Sequence, residues 1–296
     1  MGKKKIAIII ISFVSLFSLV LVIFIGEGTE ESEDEVLEDE PEPEEVTEWP
    51  AKQVIGHSVE GREIEEYRFV SEEEEALVVF VGGIHGGYEW NSVLLAYQFI
   101  DHLESDPETV PEGVSVSIIP SLNPDGVFSV IGKEGRFTKE DVSSNRDTEM
   151  GRMNANGVDL NRNFDCNWQP ESSWRGEEVS AGSEVFSEPE AQAMRDLVEE
   201  DDPEAVIFWH SAGGAVYGSE CNNGILQGTV DIMNAYAEAS GYPAVASFDH
   251  YEITGDAEGW LASLGIPSVT VELSTHNDLE WEKNLAGVRS VLNYFK

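Results

Sequence analysis

Basic residues and cysteines are both scarce in this chain of 296 residues. There are 17 lysines and arginines against 58 aspartates and glutamates, which gives a formal net charge of −41. A chain this acidic repels phosphate groups, so nucleic acid and anionic lipid headgroups are poor partners. The only two cysteines are Cys166 and Cys221. They are too few for a disulfide scaffold or a Cys-type zinc cluster, and one disulfide or two thiols are equally open.

The N-terminal segment is predicted to be a membrane anchor. Residues 6–25 carry no charge and are long enough to span a bilayer as a helix. Three lysines precede them at positions 3 to 5, which predicts a cytoplasmic N-terminus. We therefore expect residues 1–26 to form an uncleaved, single-pass anchor in the cell membrane, with the rest of the chain outside. A cleaved signal peptide, which would give a secreted protein, is the alternative.

Residues 27–50 are predicted to form an acidic, disordered linker. Between residues 27 and 48 there are 13 acids and no base. Such a segment cannot bury enough apolar surface to fold, and its own repulsion extends it into a spacer. Residues 51–296 then form the folded domain. This domain is acidic as well, which we interpret either as adaptation to high salt or as simple solubility.

From about residue 52 onward, short apolar runs alternate with helix-like stretches. The apolar runs end in glycine or polar residues and cover 76–83, 114–124, 205–211 and 267–274. The helix-like stretches cover 91–104, 187–200 and 228–241. This alternation predicts an α/β fold whose largely parallel sheet is covered by helices on both faces.

Candidate metal-binding and catalytic residues lie where these runs end. His85 and Glu89 follow the first run, His210 is near the end of the third, and Glu272 is near the end of the fourth. In open α/β sheets, functional sites form beyond the carboxyl ends of the strands. Two histidines and a carboxylate can bind a catalytic zinc ion, and a further carboxylate can take a proton from the bound water. From spacing alone, a zinc site and a set of polar residues without a shared function are about equally well supported.

Longer motifs resemble the zinc metallocarboxypeptidases of the carboxypeptidase A/B type, the M14 peptidases. The motifs are HSVEGREI (57–64), SLNPDG (121–126), GRMNANGVDLNRNFD (151–165), FWHS (208–211) and SVTVEL (268–273). They extend over roughly residues 55 to 280, and the string GR…N..GVDLNRNF is specific to that family. The resemblance implies a three-layer α/β/α sandwich with a mixed, largely parallel central sheet, and makes residues 51–296 the catalytic domain.

The resemblance also implies roles in catalysis. His85, Glu89 and His210 match the ligands of one Zn²⁺ ion per chain. Glu272 matches the general base that activates the zinc-bound water. Arg152 matches the arginine that polarises the scissile carbonyl and holds the oxyanion.

Four further residues match positions that bind the substrate. Asn161 and Arg162 match the pair that binds its terminal carboxylate, for which a planar guanidinium is well suited. Tyr251 lies where the family has a mobile tyrosine that closes over the substrate. Glu258 falls at the base of the side-chain pocket, where an acid would favour a basic or amine-bearing terminal residue. Asp256 would take this position if the alignment shifts by two residues.

The first metal motif departs from the family. The family usually places two residues between the first histidine and the glutamate, whereas three separate His85 from Glu89, and Tyr88 occupies the usual position of the acid. Because glycine tolerates loop geometries that other residues cannot adopt, we expect Gly86 and Gly87 to absorb the extra residue.

The resemblance implies a membrane-tethered zinc carboxypeptidase that acts on peptides with a free C-terminal carboxylate. Two alternatives remain open. One is a cell-wall amidase of the same fold that cleaves a γ-glutamyl-diaminopimelate type of linkage in a stem peptide. The other is a catalytically inactive peptide-binding module, against which the presence of both Glu272 and Arg152 argues.

Overall fold

The computed structural model describes residues 49–143, 147–248 and 252–296. The predicted anchor and all but the last two residues of the predicted linker lie outside these ranges, as does Tyr251. None of the helices within these ranges is long and apolar enough to cross a bilayer.

In these ranges the chain forms ten β-strands and six α-helices. The strands are β1 (Ala51–His57), β2 (Glu63–Phe69), β3 (Ala76–Val81), β4 (Val114–Ile119), β5 (Glu171–Trp174), β6 (Glu177–Ser180), β7 (Ala205–Ser211), β8 (Val216–Gly218), β9 (Ala244–Val245) and β10 (Ser268–Leu273). The helices are α1 (Trp90–Ser105), α2 (Pro124–Ile131), α3 (Pro189–Asp201), α4 (Gln227–Ser240), α5 (Ala257–Leu264) and α6 (Trp281–Tyr294).

Eight strands form one mixed sheet in the order β1-β2-β4-β3-β7-β10-β8-β9. The four strands in its middle, β4, β3, β7 and β10, are parallel. β1 and β2 are antiparallel on one side, and on the other side β8 is antiparallel to β10 and parallel to β9. The mixed, largely parallel sheet is therefore confirmed. β5 and β6 form a separate antiparallel hairpin.

Helices cover both faces of this sheet, which confirms the three-layer architecture. Alternate residues of β3 point to opposite sides: Val78 and Phe80 belong to a core with residues of α1, α2, α4 and α6. Leu77 and Val79 belong to a second core with residues of α3 and α5. Because both faces of the central strands are buried, these strands appear in the sequence as continuous apolar runs.

The run 114–124 extends well beyond the strand it contains. β4 ends at Ile119, and α2 begins at Pro124. Asn123 caps this helix by accepting a hydrogen bond from the backbone N–H of Gly126 at 2.8 Å, and Pro124 at the first helical position fixes the start. Residues 121–123 therefore separate the strand from the helix.

Candidate active site

The candidate metal ligands and base meet at the carboxyl ends of three adjacent parallel strands. His85 follows β3, His210 is the penultimate residue of β7, and Glu272 is the penultimate residue of β10. Glu272 pairs with His210 across the two neighbouring strands. Parallel strands end at the same edge of a sheet, so residues far apart in the sequence converge there.

A tight turn brings Glu89 back to His85 despite the longer spacing. Residues Gly86–Glu89 form one 3₁₀ turn directly before α1. Gly86 has a φ of +46°, and a Cβ added there would lie 2.6 Å from the carbonyl oxygen of Gly151. A Cβ on Gly87 would lie 2.5 Å from Cβ of Val130 in α2. Gly86 is therefore required both for its positive φ and because a side chain would clash. Gly87 is required only because a side chain would clash.

His85, Glu89 and His210 form one buried cluster. Glu89 Oε1 lies 2.8 Å from His85 Nδ1, and Glu89 Oε2 lies 3.1 Å from His210 Nδ1. The two Nδ1 atoms are 3.2 Å apart. Burial opposes ionisation of Glu89, but the two imidazoles outweigh it and lower the pKa of the carboxyl.

This cluster fits a metal ion. One ligand atom from each of the three residues can be chosen so that all lie within 4.8 Å of one another. Glu89 Oε2 is buried, and although it lies 3.1 Å from His210 Nδ1, it makes no hydrogen bond with the described residues. Two imidazole nitrogens that face each other and a carboxylate suit a cation shared between them, and two histidines with a glutamate are a donor set used by catalytic zinc.

Each histidine has a carboxylate behind it. His85 Nε2 lies 3.5 Å from Asp159 Oδ1, and His210 Nε2 lies 3.2 Å from Glu258 Oε1. Carboxylates in this position orient a metal-binding imidazole and leave Nδ1 free for the metal. Asp159 belongs to the GVDLNRNF motif, but its role was not predicted from the sequence, and Glu258 was expected in the substrate pocket instead.

Glu272 is a carboxyl with a raised pKa in the same cavity. Burial raises its pKa to about 7, and the nearby carboxylate of Glu89 adds to this effect. Its Oε2 accepts a hydrogen bond from the backbone N–H of Gly213 at 3.0 Å. A Cβ at Gly213 would lie 3.2 Å from Cγ of Glu272, so glycine allows this close approach. A carboxyl with a pKa near neutrality can both take up and release a proton.

Arg152 is buried beside the cluster. Its Nε and Nη2 donate hydrogen bonds to Asp159 Oδ2 at 3.0 and 2.8 Å. Its Nη1 lies 3.9 Å from Glu89 Oε1, and its guanidinium lies 4.5 Å from the ring centre of Trp174. Asp159 therefore contacts both Arg152 and the imidazole of His85, and fixes the two relative to each other.

Arg162 and Asn161 lie on the wall of the cavity next to α5. Arg162 donates hydrogen bonds to the backbone carbonyls of Asn161 and Ser173, and its buried Nε has no hydrogen-bond partner among the described residues. Asn161 Oδ1 accepts a hydrogen bond from the backbone N–H of Ala257 at 2.8 Å, which fixes the start of α5. Arg162 thus retains a donor for a ligand.

Glu258 and Asp256 are the acids on this wall. Glu258 Oε1 also accepts a hydrogen bond from the hydroxyl of Thr270 at 2.8 Å. Burial opposes ionisation of Glu258, but the hydrogen bond with His210 outweighs it and lowers its pKa to about 2. Asp256 caps α5 through the N–H of Gly259, and burial together with the charge of Glu258 raises its pKa to about 6.

The enclosing cavity has a volume of about 550 Å³, large enough for a small peptide. The histidines, Glu89, Glu272, Arg152, Arg162 and the two acids near α5 all line it. Cys221 lines it too, and forms a disulfide with Cys166 with Cα atoms 6.0 Å apart. Of the two states that the sequence left open for the cysteines, the structure contains the disulfide.

One wall of the cavity is formed by aromatic side chains that were not predicted from the sequence. Tyr88 packs against Trp174 and against His276, with ring centres 5.3 and 4.6 Å apart. Trp174 ends β5, and Arg175 in the following turn also lines the cavity. The only signal in the sequence is the pair Arg175-Gly176 within a polar stretch, which indicates a turn but gives no position for it.

Known proteins share both this sequence pattern and this fold. A carboxypeptidase B from Helicoverpa zea is 28% identical over 242 residues, which cover 73% of this chain and 56% of the relative. A gamma-D-glutamyl-L-diamino acid endopeptidase 1 from Lysinibacillus sphaericus is 26% identical over 171 residues, which cover 54% of this chain and 42% of the relative. The chain thus spans about half the length of these curated relatives.

The crystal structure of a murein-tripeptide amidase from Escherichia coli O157 superposes with a TM-score of 0.58 at 24% identity, covering 81% of this chain and 91% of that one. This similarity shows the fold. The model of the zinc carboxypeptidase family matches residues 47–284. This chain therefore belongs to the zinc carboxypeptidase family of M14 peptidases.

Proposed function

We propose that this protein is a zinc-dependent peptidase that removes the C-terminal residue from peptides whose C-terminal carboxylate is free. The observation that carries the proposal is the buried cluster of His85, Glu89 and His210 with Glu272 in the same cavity. His85, Glu89 and His210 would hold the zinc ion. Bound there, the ion would supply Lewis-acid polarisation of a carbonyl oxygen and of water.

Glu272 acts as the proton carrier. It takes the proton from the attacking water and delivers it to the amine that leaves. Its pKa of about 7 suits this exchange, and a cation held nearby would favour the ionised form that acts as base. The N–H of Gly213 holds the carboxyl in position.

Arg152 stabilises the negative charge that develops on the scissile carbonyl oxygen. Asp159 holds two of its nitrogens and Trp174 packs on its face, so the group is already oriented before the substrate arrives. A preorganised donor in a cavity sheltered from water stabilises a transition state more than a mobile one does.

Arg162 binds the terminal carboxylate and so restricts cleavage to the last bond. Its buried Nε has no described hydrogen-bond partner, and a substrate carboxylate would satisfy it. Asn161 assists from the same wall, and the match to the family motif assigns the capping of the bound substrate to Tyr251. Glu258 and Asp256 place negative charge on this wall, which favours a terminal residue that carries an amine.

We propose an extracytoplasmic location for the domain, tethered to the membrane by residues 1–26. The Cys166–Cys221 disulfide supports this location, because disulfides persist mainly in oxidising compartments.

The second candidate is an amidase that cleaves cell-wall stem peptides. Two similar proteins have names that refer to such substrates, the endopeptidase from Lysinibacillus sphaericus and the murein-tripeptide amidase from Escherichia coli. The negative wall near α5 is compatible with the second amino group of a diamino acid at the terminal position.

Purified full-length protein should separate these possibilities. We expect hydrolysis that is lost on chelation, returns with zinc, and is absent from Glu272→Gln. Peptides ending in arginine, lysine, phenylalanine or leucine test the terminal preference, and γ-glutamyl-diaminopimelate peptides test the amidase. A preference for phenylalanine would contradict the negative wall, and turnover that persists in metal-free protein would contradict the whole proposal.

A further inference from the structure

Two cations in the cavity lack a carboxylate partner, which is unusual in so acidic a chain. Within the described ranges, every lysine and arginine except Arg162, Arg175 and Lys296 has a carboxylate oxygen within 4.0 Å. Lys296 is the C-terminal residue. The other two line the same cavity. The proposed function uses Arg162 and gives Arg175 no task.

Arg175 is held over the cavity by its hairpin and two aromatic rings. Trp174 and Glu177 pair across the end of β5 and β6, so Arg175 and Gly176 form a two-residue turn in which both φ angles are positive, +53° and +83°. Its guanidinium lies 5.1 Å from the ring centre of Trp174 and 5.9 Å from that of Tyr88. A positive φ is uncommon for arginine, and stacking on rings orients a group that would otherwise move freely in solvent.

The neighbours of Arg175 show which part of a substrate it would meet. Arg152 packs on the same Trp174 ring at 4.5 Å, and its proposed task is to bind the scissile carbonyl oxygen. That carbonyl belongs to the residue that precedes the cleaved bond. Asp159 balances the charge of Arg152, whereas no described residue balances Arg175. An anion on the residue before the bond would therefore find an unpaired guanidinium beside it.

We propose that Arg175, with Trp174 and Tyr88, forms a second anion subsite that binds a carboxylate on the residue preceding the scissile bond. The inference rests on the proposed peptidase function and deepens it, because the substrate then carries a carboxylate on each side of the bond. Two chemistries supply that group. An ordinary aspartyl or glutamyl residue carries it on the side chain, and a glutamyl residue linked through its γ-carboxyl leaves its α-carboxylate free.

Three matched peptides test the subsite. They share one terminal residue and differ only in the residue before the bond: α-linked glutamate, γ-linked glutamate or α-linked glutamine. With the zinc-loaded full chain we expect kcat/KM for one of the glutamate peptides to exceed that for the glutamine peptide by about tenfold, the effect of one charge-assisted hydrogen bond. Arg175→Gln should bring this ratio close to one, and the better glutamate peptide identifies the source of the carboxylate.

A matched control is Arg195→Gln, which removes an arginine on α3 that pairs with Asp196 outside the cavity. It should leave the ratio unchanged. Because Arg175 is exposed at the cavity mouth, the wild-type preference should also weaken as salt is raised.

Binding gives a readout that does not require turnover. Calorimetry with the three peptides and the Glu272→Gln protein, with and without Arg175→Gln, should show the same tenfold difference in Kd. Peptides that bind with this Arg175-dependent preference but are never cleaved by the wild type would overturn the peptidase proposal alone. Equal binding of the three peptides, or an equal loss for all three in Arg175→Gln, would overturn the second subsite.

Discussion

At the residue scale, four carboxyls that line one cavity differ in their pKa, although Glu89 and Glu258 are buried and Asp256 and Glu272 are half-buried. The two histidines lower the pKa of Glu89 against burial. For Glu258, His210 has the largest lowering effect, and the hydrogen bond from Thr270 adds to it, so that the pKa falls to about 2. Burial raises the pKa of Asp256 to about 6 and that of Glu272 to about 7. The different surroundings of these residues suit them to different roles. Ionised Glu89 can bind a cation, ionised Glu258 can orient the imidazole of His210, and Glu272 can exchange protons.

The hydrogen bond from His210 to Glu258 should strengthen zinc binding. Glu258→Ala should weaken zinc binding 10- to 100-fold, as is typical when the partner of a metal-binding histidine is removed. Glu258→Gln should lose much less, because its amide oxygen can still accept from His210 and Thr270. Competition with a chromogenic chelator measures both constants. Unchanged zinc affinity in Glu258→Ala, together with an altered terminal preference, would restrict Glu258 to the substrate pocket.

At the element scale, the turn between β3 and α1 shows what the sequence could and could not reveal. The continuous apolar runs predicted the central strands, and the polar residues at their ends predicted the convergence of His85, His210 and Glu272. Whether the extra residue before Glu89 fits depends on how closely Gly86 and Gly87 pack against Gly126, Val130 and Gly151, which are distant in the sequence. The hairpin of β5 and β6 was missed because its strands are short and largely exposed, and no periodicity marks them.

Filling the space at Gly87 should damage both stability and metal binding. Gly87→Ala would place Cβ 2.5 Å from Cβ of Val130, so α2 and the turn must separate, at a cost of about 2 kcal/mol in the free energy of unfolding. The displaced turn carries Glu89, so zinc affinity should fall too. Gly132→Ala is the control: its φ is +77° and an added Cβ meets nothing within 4 Å. It should cost only about 1 kcal/mol of backbone strain and leave zinc affinity unchanged. Urea unfolding and chelator competition test both variants, and equal zinc affinity in the two would contradict this account.

At the scale of the whole molecule, the folded domain is strongly acidic, but two arginines without a carboxylate partner among the described residues, Arg162 and Arg175, line its cavity. Of the 58 acids only 13 lie between residues 27 and 48. Most of the charge is therefore in the domain, where nearly every described basic residue is already paired. The Cys166–Cys221 bond closes a loop with a sequence separation of 55 residues next to the cavity, which stabilises the fold by roughly 4 kcal/mol in the chain-entropy estimate. A covalent link of this kind helps hold the cavity wall against the mutual repulsion of the acids.

This repulsion makes stability depend on salt. Raising potassium chloride from 0.05 to 1 M shortens the screening length from about 14 to about 3 Å, so self-repulsion of the domain should fall and its thermal midpoint should rise by several degrees. A chain lacking residues 27–48 is the control, and it should show nearly the same increase because most acids remain. Differential scanning calorimetry of the two chains measures the effect. A midpoint that is as high at 0.05 M as at 1 M would rule out adaptation to high salt and leave solubility as the reason for the acidic surface. An increase that disappears with the linker would show that the repulsion comes from the linker instead of the domain.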